Sequence, residues 1–157
     1  MSDDSAIRAT TALILEIFRA NGALLAAGDR LVGEIGLTSA RWQVLGAATL
    51  AAEPPTVARI AREMGQTRQG VQRTVNDLLR LGLVELAENP HHRRARLVTL
   101  TEAGRSAFAA ASARQAPWAA AIGRGLDPGT LDTARTLLRT LGDRATNASR
   151  MPETEET

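Results

Sequence analysis

Apolar positions along this chain fall into helical registers for most of its length and give way to short strands only once. Val71, Val75, Leu78 and Leu79 recur at steps of four, three and one, which buries one face of a helix beginning at Thr67. The opposite face carries Arg68, Gln69, Gln72, Arg73 and Asn76. These side chains suit base edges and phosphates, whereas a helix that only needs solubility carries more Glu and Lys. Gly82, just past the last periodic residue, predicts a left-handed C-cap. Residues 83–86 and 96–100 then read as short strands, joined by Asn89-Pro90-His91-His92-Arg93-Arg94, a turn dipeptide followed by clustered positive charge.

Upstream, Ile7, Ile14, Ile17, Phe18, Leu24, Leu25, Leu31 and Val32 predict one long helix, capped among residues 2–5, running to about Val32 and softened at Gly22 and Gly28. Its apolar stripe is longer than a small helix-turn-helix module can cover, so part of it should meet another subunit. Residues 33–36 break the pattern. Thr38 or Ser39 caps a helix over residues 40–51 whose apolar members are Trp42, Val44, Leu45 and Leu50, and Pro54-Pro55 ends it. Thr56 caps residues 57–64, with Val57, Ile60, Ala61 and Met64 facing inward, and Gly65-Gln66 makes a short turn. Residues 56–81 therefore have the helix, tight turn, helix spacing of a helix-turn-helix, and the basic hairpin behind it makes the module winged. Thr101 caps a further helix that runs from Glu102 through Phe108 towards Trp118 and Ile122, with Pro117 expected to kink or divide it. Asp127-Pro128 opens a last helix with Leu131, Ala134, Leu137, Leu138 and Leu141 on one face, ending near Gly142. Residues 146–157 read as a disordered polar tail.

Charge sharpens this picture more than composition does. The net charge is only +2, but residues 59–105 hold nine Arg against five acids. The acidic ends, Asp3-Asp4 and residues 153–156, would be repelled by phosphate. All nineteen basic residues are Arg, as GC-rich coding also favours, so the absence of Lys carries little weight. With no cysteine, disulfides, thiol redox sensing and Cys-ligated metals are excluded. His91 and His92 are adjacent, so on a ribbon they point to opposite sides, and no third ligand lies at metal spacing; no metal site is expected. No Tyr, glycine-rich phosphate loop or paired-carboxylate arrangement is present either, so the chain predicts no catalytic residues, no cofactor and no enzyme activity. No apolar run approaches the roughly eighteen residues of a membrane span, and the N-terminus lacks a signal pattern, so a cytoplasmic protein without a membrane partner is expected.

The helix ending LLRLGLVEL, the hairpin NPHHRRARLVTLT and the Thr101-Glu102-Ala103-Gly104 that reopens a helix together resemble the MarR family of bacterial transcriptional regulators. The resemblance implies a mainly α fold with a small β-wing: an N-terminal dimerisation helix over residues 1–35, a winged helix-turn-helix over 36–102, and C-terminal dimerisation helices over 103–145. It implies a homodimer whose first and last helices interlock, sitting on a pseudo-palindromic double-stranded operator with half-sites about 10–10.5 base pairs apart. The expected DNA contacts are Thr67, Arg68, Gln69, Gln72, Arg73 and Asn76 on the helix, with Gln69, Gln72 and Arg73 for bases and the Thr67 hydroxyl for a phosphate. On the wing, the resemblance places Arg94 in the minor groove and gives Arg93 or Arg96 to the backbone or to support of the wing. Many relatives carry Asp-Arg-Arg at this tip, where the acid orients an arginine. Here His92 precedes Arg93-Arg94. A His92 hydrogen bond is one replacement for the acid, and its protonation would add charge. Gly70 either lets the DNA backbone approach or is simply tolerated, and Asp77 should point away and pair with an arginine. The resemblance also implies a small aromatic or amphipathic effector, for which Phe18, Arg41, Trp42, Phe108 and Trp118 are candidate contacts, Arg41 as a carboxylate partner; the same aromatics also read as core. The expected function is a repressor released by that effector. The alternative is an architectural or protein-interaction module that does not read sequence.

Overall fold

In the computed structural model, which describes residues 3–148, four threonines set the helix starts. Thr38, Thr56, Thr67 and Thr101 each accept a hydrogen bond from the backbone N–H three residues on, at 3.3, 3.2, 3.1 and 3.1 Å. Each satisfies a donor that the first helical turn cannot, worth about 1 kcal/mol per cap. Asp127 does the same for Thr130 at 2.8 Å. The resulting order is α1 (Asp3–Gly33), α2 (Ser39–Leu50), α3 (Val57–Glu63), α4 (Arg68–Arg80), β1 (Val84–Ala87), β2 (Leu97–Leu100), α5 (Glu102–Ile122) and α6 (Pro128–Ala148). The fold is mainly helical with one antiparallel ribbon, in which Val84 faces Leu100 and Ala87 faces Leu97.

Two compact units divide after Pro117. The first holds the core: Val44 and Leu45 of α2, Ile60 and Ala61 of α3, Val71, Val75 and Leu78 of α4, and Val84 and Val98 of the ribbon are all buried, together with Val32 at the end of α1. The steps of four and three that predicted one face of α4 are thus the steps at which it packs. Gly82 adopts φ +67 and closes α4 as foreseen. Its N–H donates to Leu79 O at 3.0 Å and that of Leu83 to Leu78 O at 2.9 Å, the paired bonds that turn a chain sharply out of a helix.

Several expectations need correction. Leu50, one of the apolar members of α2, does not join the core and is 82% exposed. α2 ends at Leu50 with Ala51 extended, before the prolines are reached. Pro55 is buried and has another role, because its carbonyl accepts from the Val98 N–H at 2.8 Å and Thr56 bridges Leu97, adding a third short segment to the ribbon. Gly28 does not soften α1, which is continuous; a Cβ there would come within 2.4 Å of the Ser39 hydroxyl. That hydroxyl donates to Leu25 O at 2.8 Å, and the Ser39 N–H donates to Asp29 at 2.6 Å, joining α1 to α2 through a buried polar contact. Pro117 does not divide α5, which continues to Ile122. α6 continues past Gly142 to Ala148, so residues 146–148 are helical, while the rest of the expected tail and the proposed cap at Ser2 lie outside the described residues.

Two apolar surfaces remain uncovered in the single chain. On α1, Ile7, Ile14, Phe18 and Leu25 share one face and are all exposed, Phe18 by 68%. On α6 no residue is buried, although Leu131, Leu137 and Leu138 recur on one side. By length and composition, residues 4–33 would also suffice to cross a bilayer, although charged residues interrupt their apolar runs. The middle of this helix carries Glu16 and Arg19, whose hydrogen bonds hold the Glu16 carboxyl below the usual carboxylate range.

Candidate nucleic-acid interface

The core fixes α4 so that its polar side is presented to solvent. Arg68, Gln69, Arg73 and Asn76 are exposed and Gln72 is half-buried, opposite the buried Val71, Val75 and Leu78. Among the described residues, the side chains of Arg68, Gln69 and Arg73 have no hydrogen-bond or ion-pair partner, so their full donor capacity faces outward. Gln72 and Asn76 form a pair: the Gln72 amide donates to Asn76 Oδ1 at 3.0 Å. This leaves the Gln72 carbonyl as an acceptor and the Asn76 amide as a donor, a complementary couple of the kind that adenine reads.

Thr67 stands at the N-terminus of α4 and accepts from the Gly70 N–H through its hydroxyl oxygen. The hydroxyl proton remains available to a phosphate at the positive end of the helix. Gly70 gains a local explanation from the same contact. A Cβ there would lie 3.1 Å from Thr67 Oγ1, so any larger residue crowds the cap. At the other end of α4, Asp77 is half-buried and pairs with Arg80 and with Arg41 of α2, the latter at 3.6 Å. The acid beside the polar face of α4 is thereby neutralised, as the sequence suggested, but by an arginine from a different helix as well as a neighbour.

The wing rises from β1 and β2. Arg96 donates to Leu86 O at 2.6 Å, stapling the ribbon, while Arg93 and Arg94 are exposed and have no side-chain partner among the described residues. Arg94 shares a cleft of about 110 Å³ with Arg68 and Gln72. The helix and the wing are therefore adjoining walls of one basic surface. Sequence reasoning treated Asn89 as turn punctuation only, yet its side chain spans the tip: Oδ1 accepts from the His91 N–H at 3.0 Å and Nδ2 donates to Ala95 O at 2.9 Å. An Asn two residues before a backbone partner is a recognisable signal for the first bond. Nothing in the sequence marks the second, which joins residues six apart.

The candidate effector residues are dispersed. Phe18 lies on the exposed face of α1, and Trp42 and Phe108 pack against the core of the first unit, where Phe108 approaches Gly46. Arg41 is engaged with Asp77 and, at 3.5 Å, with Gly36 O. Trp118 belongs to the second unit.

Comparison with known proteins agrees with this geometry. The MarR family profile matches residues 35–95. An uncharacterized protein of Mycobacterium tuberculosis is 39% identical over 127 residues, covering 81% of this chain and 87% of its own. Among solved structures, the M. tuberculosis regulator MOSR in complex with DNA is 25% identical, with a TM-score of 0.73 over 88% of this chain and 98% of that one. CouR from Rhodococcus jostii RHA1, bound to p-coumaroyl-CoA, is 25% identical, with a TM-score of 0.75 over 83% of this chain and 91% of its own.

Proposed function

This chain belongs to the MarR family, and from that premise we propose that it is a homodimeric repressor that holds a pseudo-palindromic operator and is released by a small-molecule effector in the cytoplasm. The family and fold are those of DNA-binding regulators of transcription and not of enzymes. The observation that carries the proposal is the single basic surface on which Arg68 and Gln72 of α4 meet Arg94 of the wing. A protruding polar helix fits the major groove, and an arginine-tipped ribbon beside it reaches the flanking minor groove, whose negative potential attracts arginine. We assign base reading to Gln69, Gln72 and Arg73, with Asn76 supporting Gln72. Phosphate contact falls to Thr67, Arg68 and Arg93, and the minor groove to Arg94, with Arg96 holding the ribbon. The domain limits follow the same division of labour: residues 1–35 and 103–145 for dimerisation, 36–102 for DNA.

A homodimer is supported by the uncovered apolar faces of α1 and α6. Repression is the output that needs least, since a dimer seated on a promoter blocks polymerase without a further surface. An aromatic or amphipathic effector is supported by the solved relative that binds p-coumaroyl-CoA. Its candidate contacts here are Phe18, Arg41, Trp42, Phe108 and Trp118. A carboxylate reaching Arg41 would compete with Asp77 on α4, which connects such an effector to the reading helix.

A salt titration with selected and random duplexes tests the DNA reading. The selected site should survive competitor DNA. Arg94→Ala should weaken binding to all sequences and lower the slope of log K against log salt by roughly one, as one positive charge is lost from the DNA-facing surface. Gln72→Ala should instead relax the preference at one position, at a cost of about 1–3 kcal/mol on the best site. Equal binding of selected and random duplexes would overturn sequence reading and leave an architectural module in its place.

A further inference from the structure

The tip of the wing is ordered by one side chain, and the geometry points to what that ordering serves. We propose that Asn89 is the positioning residue of the wing, its side-chain amide holding the tip so that Arg94 faces Arg68 and Gln72 across the cleft that grips one strand of DNA backbone. The role rests on the DNA-binding reading above.

Four hydrogen bonds make the tip one unit, and Asn89 takes part in three. Its Oδ1 accepts from His91 N–H at 3.0 Å, its Nδ2 donates to Ala95 O at 2.9 Å, and its own carbonyl accepts from His92 N–H at 3.2 Å. The fourth joins Ala95 N–H to His92 O at 3.0 Å. Residues 89–95 are thus two consecutive turns fastened at both ends by one half-buried amide. Only an amide does this: it accepts at one atom and donates at the other, whereas a carboxylate has no proton for the Ala95 carbonyl. The amide is also neutral. Asn89 orders the loop and, among the described residues, leaves both Arg93 and Arg94 unpaired. His92 enters this network through its backbone alone, with its side chain exposed.

The test is a neutral-for-neutral substitution read by salt dependence. Asn89→Ala removes no charge, so a merely structural change at an exposed tip leaves the salt slope alone. If Asn89 positions Arg94, the variant binds the operator about tenfold more weakly, with a slope lower by roughly one, while its thermal midpoint is unchanged. In an Arg93→Ala/Arg94→Ala background the same substitution should have no further effect. Asn89→Asp, which keeps the acceptor and loses the donor, should weaken binding as well, and His92→Ala should not. Without DNA, amide exchange at His91 and Ala95 should quicken in Asn89→Ala. Unchanged affinity and slope in Asn89→Ala, additivity in the double-arginine background, or slope loss in His92→Ala would each overturn the role given to Asn89. A wild-type chain that binds no duplex would overturn the DNA reading beneath it.

Discussion

Gly104→Ala should lower the thermal midpoint by roughly 6–12 °C and abolish operator binding near that temperature, although alanine is the better helix former. Gly104 lies in the first turn of α5 and is buried, and a Cβ at that position would stand 1.9 Å from the carbonyl oxygen of Leu83. This neighbour is backbone and has little freedom. The Leu83 carbonyl accepts from Thr101 N–H at 3.1 Å, the Leu83 N–H closes the end of α4, and the Thr101 hydroxyl donates to Gly82 O at 2.7 Å. A side chain at 104 therefore pushes at the joint between α4, the wing and α5. Overpacking against fixed backbone costs about 3 kcal/mol, and for a chain of this size each kcal/mol moves the midpoint by about 2–4 °C. The gain in helix propensity, about 1 kcal/mol, is too small to offset it. Ala103→Ser, one residue away and exposed, is the control and should stay within about 0.5 kcal/mol of wild type. A Gly104→Ala variant that melts with the wild type would show that α5 is not seated on Leu83.

Gly104 also shows where sequence reading stops. The Thr-Glu-Ala-Gly run was legible as the start of a helix, since a threonine cap and an early acid are local signals. The demand for glycine was not, because it comes from a carbonyl twenty-one residues earlier. The same division holds elsewhere. The caps at Thr38, Thr56 and Thr67, the turn at Gly82 and the buried face of α4 were legible because each depends on residues within one or two turns. Leu50 misled because apolar spacing on α2 does not say where the core ends. Pro55 was read for the ring that stops a helix, and its carbonyl's use by Val98 required the ribbon to be in place. At the interface, the exposure of Arg68, Gln69 and Arg73 followed from helical period alone. The joining of Arg41 to Asp77, and of Asn89 to Ala95, could not follow from it: these bonds span thirty-six and six residues, and no periodicity constrains them.

The same contrast between pattern and packing leads to the second large effect. α6 has an apolar side on which no residue is fully buried in the single chain, with Leu137 and Leu138 exposed by 47% and 46%. A helix of that design is stable in water only when its apolar side is covered. In a symmetric pair each such residue counts twice, once from each subunit. Leu137→Glu/Leu138→Glu therefore removes four leucines from the proposed interface, each with about half its surface left to bury and so worth roughly 0.7–1.5 kcal/mol, and asks four carboxylates to take their place. The dimer should weaken by at least a factor of ten thousand and sediment as a monomer at micromolar concentration. The winged unit uses neither residue in its core, so its thermal transition should persist. Operator affinity should nevertheless fall by about a hundredfold or more, since a monomer engages one half-site and loses the effective concentration that ties the second to the first. Half-site binding by the variant should match that of the wild type under dilution. A double variant that still sediments as a dimer would place the interface elsewhere and leave the uncovered face of α6 without its proposed partner.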